Sequence, residues 1–352
     1  MKKEYKLINF CEYDKHISKA YSIIRNLAEE FNLGDITQVK EREIEGFDLM
    51  TWGFPCQHIS IAGKKDGFID ADGNKTSSGL YEDGIRILKE KKPKISIIEN
   101  VKNLTSKTFK SEFNTVLKDL DIAGYNVYWK VLNAANYGIP QGRERVFIIG
   151  IRKDIDNGLF RFPESIELTK YVQDIMEEGD LSYAYLTEKQ KQFVLDMNEV
   201  QNDTKWSDRT NNGLLNPSIA KTLQTKGKAR QRAHMNTFFV DGLPTNITVK
   251  EYKEKYINSH PNIRYATSLE RFRLMGFDDE DYYKLLNYGM SENQMNIFTG
   301  NSIVVDVLYY IFLELYKVLP EVFDDLTYSS FFSGIGAFEK ALDRLYAYIN
   351  NK

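Results

Sequence analysis

Cysteine is nearly absent from the 352-residue chain, which carries only Cys11 and Cys56. Two thiols cannot form a disulfide framework. The start of the sequence lacks an apolar signal segment, and no apolar run is expected to cross a bilayer, so a reduced cytoplasmic setting without membrane partners is expected. An excess of one charge sign is also missing. The formal net charge of -3 excludes wholesale polyanion binding and leaves only a local basic cluster for such contacts. Internal repeats, heptad arrays and low-complexity tracts are absent, which excludes solenoids and coiled coils. With 42% hydrophobic and 28% charged residues, the chain is globular and long enough for two domains.

The text that is present alternates between two periods. Leu7–Phe10 reads as a strand, and Ile17, Ala20, Tyr21, Ile24, Leu27, Ala28 and Phe31 follow at helical spacing. Further strands are expected at Phe47–Trp52, Ile95–Ile98, Val127–Leu132 and Val146–Ile149, with a helix carrying Phe109, Phe113, Val116, Leu117 and Leu120. This rhythm predicts an α/β fold with a mostly parallel, doubly wound sheet whose ligands bind beyond the carboxyl ends of the strands. From about Phe162 to Ile263 the text is polar and irregular, which predicts a smaller second domain. Val304, Val305, Leu308, Ile311, Phe312 and Leu315 then form one helix face that stops before Pro320. Last come a buried strand, Tyr328–Phe332, a glycine turn, Ser333–Gly336, and a closing helix. A strand, glycine turn and helix ordinarily open a nucleotide-binding fold; here they come at the end.

Pro55-Cys56-Gln57 places a thiol on a tight turn after an apolar strand, where a nucleophile can sit, whereas Cys11 reads as packing. Glu99 emerges from the apolar Ile95–Ile98, where burial would let a carboxyl donate a proton near neutral pH; the ordinary alternative is a helix cap. Arg143 and Arg145 alternate at a strand start and are expected to point one way, although such arginines are commonly surface ion pairs. Glu12 and Asp35 are acids at strand ends, suited to ribose hydroxyls or an adenine amine, or else solvated acids and caps. Lys221, Lys226, Lys228, Arg230, Arg232 and His234 occur with no acid among residues 219–234, a run able to neutralise phosphates.

Together these blocks resemble the cytosine-C5 DNA methyltransferases, over nearly the whole length outside the irregular domain. Pro55-Cys56-Gln57, Glu99-Asn100-Val101, Gln141-x-Arg143-x-Arg145 and Gly300-Asn301-Ser302 match family blocks, as do Arg264 and the stretch from Ser268 to Phe277. One departure is large. The Phe-x-Gly-x-Gly block that usually comes first lies at Phe332–Gly336, so the order looks circularly permuted, and the last strand is predicted to enter the middle of the sheet beside the first.

The resemblance implies a Rossmann-like methyltransferase domain over 1–165 and 266–352, and a target-recognition domain over 166–265. It assigns Cys56 to attack on cytosine C6, Glu99 to N3, Arg145 to O2 and to holding Glu99, and Arg143 to the neighbourhood of Cys56. Phe54 and Pro55 would face the exocyclic amine. S-adenosylmethionine, leaving as S-adenosylhomocysteine, would lie against Phe332, Gly334, Gly336, Glu12, Asp35, Ile36, Pro55, Asn301 and Ser302, and no metal is implied. Double-stranded DNA would meet Gln57, Ser60, Lys221, Thr222, Lys226, Lys228, Arg230 and Arg232, with Ser60–Ser78 as the lid over an extruded base. A monomer is expected, with a restriction endonuclease reading the same site as a functional counterpart.

The rival readings are a tRNA cytosine-C5 methyltransferase and a catalytically silent DNA-binding relative. The first typically has a short variable region, unlike the roughly hundred residues here. The second is weakened by the presence of each reaction residue. A dinucleotide oxidoreductase would need glycine at position 339, which is Glu339.

Overall fold

The computed structural model describes residues 2–61, 63–200, 214–225 and 236–351. They form two units, one of Met1–Asn133, Glu144–Glu164 and Val305–Lys352, the other of Ala134–Arg143 and Ser165–Val304. In chain order the elements begin with β1 (Lys6–Cys11), α1 (Lys15–Arg25), β2 (Leu49–Trp52), α2 (Tyr81–Lys91), β3 (Ile95–Val101), α3 (Lys110–Ile122), β4 (Tyr125–Asn133), β5 (Gln141–Gly142) and β6 (Glu144–Arg152). They continue with α4 (Glu188–Val200), β7 (Leu214–Leu215), β8 (Ala220–Lys221), β9 (Phe238–Phe239), β10 (Ile247–Thr248), α5 (Val249–Glu251), β11 (Arg264–Tyr265), α6 (Ser268–Leu274), α7 (Asp279–Tyr288), α8 (Glu292–Asn301), α9 (Val305–Val318), β12 (Thr327–Phe331) and α10 (Ala337–Asn350).

The first unit is built on a sheet of order β1-β12-β2-β3-β6-β4. Its first four strands are parallel, while β6 runs antiparallel to both β3 and β4. Leu49, Met50, Trp52, Ile97, Ile98, Ile148 and Ile149 are fully buried. Burial on both faces explains why these strands read as continuous apolar runs. As expected, β12 enters the sheet between β1 and β2, pairing Phe331 with Cys11 on one side and Trp52 on the other.

Two expectations need correction. Helical spacing continues through Phe31, but α1 ends at Arg25, because Asn26 adopts φ 49 and its N–H turns back to Ile23 O while Leu27 N reaches Ser22 O. That left-handed cap stops a helix whatever the apolar spacing beyond it. The stretch Glu292–Val318 is also long and apolar enough to match a membrane span by length and composition, contrary to the expected lack of such a run. Val305, Leu308, Ile311, Phe312 and Leu315 of α9 are nevertheless buried within the protein, as in a core helix.

The second unit has short strands, in sheets of order β10-β7-β9-β11 and β5-β8. Leu215, Phe238, Val240, Ile247, Tyr252 and Ile263 form its apolar centre with α4. Arg264 is fully buried and held by Asp241 and, bidentately, by Glu270. The unit extends beyond the 166–265 expected for a recognition domain, taking in β5 and α6 to α8.

Candidate active site

Cys56 stands four residues past the end of β2 and is partly exposed. Its carbonyl accepts from Ile59 N and Ser60 N, at 3.0 and 2.8 Å, so the segment turns back on itself. Asn100 Nδ2 donates to Phe54 O at 3.0 Å and Asn103 Nδ2 to Ile59 O at 2.6 Å, tying this turn to the end of β3. Beneath it, Trp52, Phe54, Phe68 and Tyr81 pack as a cluster of rings. The expected lid, Ser60–Ser78, is anchored at its far end: Ser77 Oγ bonds Gln57 Oε1 and His58 N donates to Ser78 Oγ.

Glu99 comes to the same place through register. β2 and β3 pair Trp52 with Ile98, which sets Gly53 opposite Glu99. A Cβ placed on Gly53 would lie 3.5 Å from Glu99 Oε2, so the carboxylate sits against the backbone leading to Cys56. β3 and β6 pair Val101 with Arg145, and the diagonal brings Arg145 Nε 3.0 Å from Glu99 Oε1. Both side chains are mostly buried, at 17% and 12% exposure, so their mutual attraction is only weakly screened. Arg143 goes elsewhere. It donates to Leu223 O, Gly300 O and Ser302 O within the second unit, so the two arginines do not point one way.

The glycine turn after β12 is held by β1. Ser333 N donates to Cys11 O, Cys11 N to Ser333 Oγ, and Gly334 N to Glu12 Oε2 at 3.1 Å. Phe332 and Gly334 both have left-handed φ, 54 and 55, and for Phe332 that conformation is strained. Gly336, at φ 87, caps α10, and a Cβ there would meet the Tyr21 ring at 3.3 Å. Burial pushes the Glu12 carboxyl up to about 7 despite its backbone hydrogen bonds. Asp35 accepts from Thr37 N and Oγ1 and so caps the short helical turn that opens with the buried Ile36. A carboxylate at a strand end beside a glycine turn fits a ribosyl cofactor such as S-adenosylmethionine.

Sequence reasoning missed the supports. Asn100 lies in the block Glu99-Asn100-Val101 with nothing to mark its role, and Asn103 and Ser333 carry no signal of their own. Glu339 is fully buried under the glycine turn, where its Oε1 accepts from the hydroxyls of Tyr21 and Tyr328 and burial raises its pKa. In the second unit, Thr222 Oγ1 donates to Gly142 O at 2.6 Å, and Gln141 bridges Leu223 N and Leu274 O. Lys221 N donates to Thr237 Oγ1 at 2.8 Å. Lys226, Lys228, Arg230, Arg232 and His234 lie outside the described residues.

The fold has solved counterparts. The solved Entamoeba histolytica methyltransferase EhMeth matches it with a TM-score of 0.64 at 17% identity, covering 88% of this chain and 90% of that one. The family follows from sequence: the model for C-5 cytosine-specific DNA methylases matches residues 1–317, and the chain belongs to that family. Similar relatives include the type II methyltransferase M2.ScrFI of Lactococcus lactis subsp. cremoris, 35% identical over 81% of this chain and 71% of its own. Another is M.HhaI of Haemophilus parahaemolyticus, 34% identical over 85% and 84%. The family match stops short of the glycine turn at 332–336.

Proposed function

We propose that the protein methylates C5 of a cytosine extruded from duplex DNA, through a transient bond between Cys56 Sγ and C6. The supporting observation is the placement of Glu99 beside the backbone that carries Cys56, with Arg145 holding the carboxylate. Bound S-adenosylmethionine would supply an electrophilic methyl group. The Cys56 thiolate adds to C6, and the Glu99 carboxyl donates a proton to N3 so that negative charge does not build up on the ring. Arg145 orients Glu99 and faces O2. Loss of the C5 proton to a base then lets the C6–S bond break, returning Cys56 as thiolate. Expression in a methylation-free bacterium should produce 5-methylcytosine at one recurring genomic sequence; modified cytosine confined to transfer RNA would overturn the reading.

Glu12 is assigned to the cofactor ribose, with Phe332, Gly334, Gly336, Asp35 and Ile36 around it. Since its carboxyl titrates near 7, cofactor affinity should fall several-fold as pH drops from 8 to 6, and Glu12→Gln should abolish that dependence. The stability effect has the opposite sign. A carboxyl whose pKa is higher folded than unfolded favours the fold at low pH, and that contribution is lost as pH rises through about 7. Glu12→Gln should therefore stabilise the cofactor-free protein at pH 8, by about 1–2 kcal/mol given partial exposure. Calorimetric titration and thermal melts check both signs.

The chain is also proposed to be a circular permutation of the family order, supported by β12 lying between β1 and β2 and by reciprocal bonds between Lys3 and Asn350. Joining Lys352 to Met1 by a short Gly/Ser linker and opening the chain between Phe323 and Leu326 should give a folded, cofactor-binding protein in the usual order. A relinked chain unable to bind cofactor would count against it. A cytoplasmic monomer, serving beside an endonuclease that reads the same site, completes the proposal.

A further inference from the structure

The second unit contains a cavity of about 590 Å³ walled by the segment Thr222–Thr225, by Arg271 of α6 and by Glu292, Asn293 and Asn296 of α8. Arg271 is only 7% exposed. Its Nε donates to Thr299 Oγ1 at 3.0 Å, and its Nη2 to Gln224 O and Asn296 O at 2.8 Å each. Among the described residues no acceptor meets Nη1 and no carboxylate pairs with the guanidinium. Arg264 and Arg273 of the same unit are both paired, with Asp241 and Glu270 and with Asp279. Glu292, the acid in the cavity wall, bonds Ser268 Oγ and Tyr282 OH instead. Burial lowers the Arg271 pKa to about 10, which still leaves it cationic at neutral pH.

A guanidinium removed from water without a counter-ion is costly, and neutral carbonyls orient it without compensating its charge. With Nε and Nη2 already engaged, Arg271 cannot present the two parallel donors that read a guanine edge. A single anionic oxygen matches what remains. The volume admits a phosphate together with its sugar. We propose that this cavity seats one phosphodiester group of the DNA backbone, with Arg271 Nη1 as its donor, and so fixes the strand against Thr222–Thr225. The inference rests on the reading that duplex DNA is the substrate.

Arg271→Met and Arg271→Lys test it through binding of a duplex carrying the mapped site, measured from 50 to 300 mM salt. The Met variant should bind about tenfold more weakly at 0.1 M salt, with the slope of log affinity against log salt reduced by about 0.9, whereas Lys keeps the slope. Cofactor affinity, reporting on folding, should stay within about twofold. Replacing backbone phosphates one at a time by neutral methylphosphonate should reveal one position where the Arg–Met difference vanishes. If the Met variant does not fold, the same scan with Arg271→Lys decides, since one phosphate should erase the Arg–Lys difference. Coupling at no phosphate overturns the proposal. So does protection of the wild type, but not the variant, by millimolar inorganic phosphate with an unchanged DNA slope, which would mark a free-anion site. A wild type with no affinity for duplex overturns the substrate reading and this seat with it.

Discussion

Cys56→Ala is expected to lower the methylation rate by about ten-thousandfold or more while leaving S-adenosylmethionine affinity within about threefold. No second thiol can take over. Cys11 is buried behind the glycine turn, donates to Gly34 O, and is pushed far above the ordinary thiol range by burial and by the nearby Glu12 and Asp35. The side chain at 56 lies beyond the strand end and contributes little to the core, so the variant should fold. A duplex with 5-fluorocytosine at the target gives the sharper readout. Fluorine cannot leave as a proton does, so the adduct persists and the wild type should be trapped covalently, whereas the Ala variant should not. Methylation retained by Cys56→Ala would remove the sulfur from the mechanism.

The second large effect is expected at the carboxylate. Glu99→Gln keeps shape but loses the charge that Arg145 orients, and should reduce turnover by about a hundred- to a thousandfold with a much smaller change in DNA affinity. Arg145→Lys should cost about a hundredfold, because one ammonium cannot hold the carboxylate and face O2 together. If the two act as a unit, the double variant should be little worse than Glu99→Gln alone. Additive losses would mean that Arg145 works independently of Glu99.

Much of this site was legible because its residues fall at strand ends, where alternation and apolar runs mark position directly. Cys56, Glu99 and Glu12 were located that way, and the place of β12 followed from the order of blocks. What was hidden depends on directions that spacing does not encode. Arg143 and Arg145 share a strand-like period, yet Arg143 precedes β6 and turns to the carbonyls of Leu223, Gly300 and Ser302. The end of α1 turned on the left-handed conformation of one asparagine, Asn26, against continuing apolar spacing. Strands of two residues, such as β8 and β9, are too short to show a period. Supports such as Asn100, Asn103 and Glu339 act through hydrogen bonds to partners far along the chain.

The position of β12 has a consequence for synthesis on the ribosome. Thr51 and Tyr328, joined by a 2.6 Å hydroxyl contact, are 277 residues apart, so β1 and β2 emerge early and wait for the strand that separates them. Pairing over that distance is slow. Until it occurs, Glu12 lacks the Gly334 amide and the proposed cofactor floor does not exist. Prematurely terminated copies should thus carry the thiol yet remain inert toward the chromosome, and modification should begin only when translation has passed residue 336.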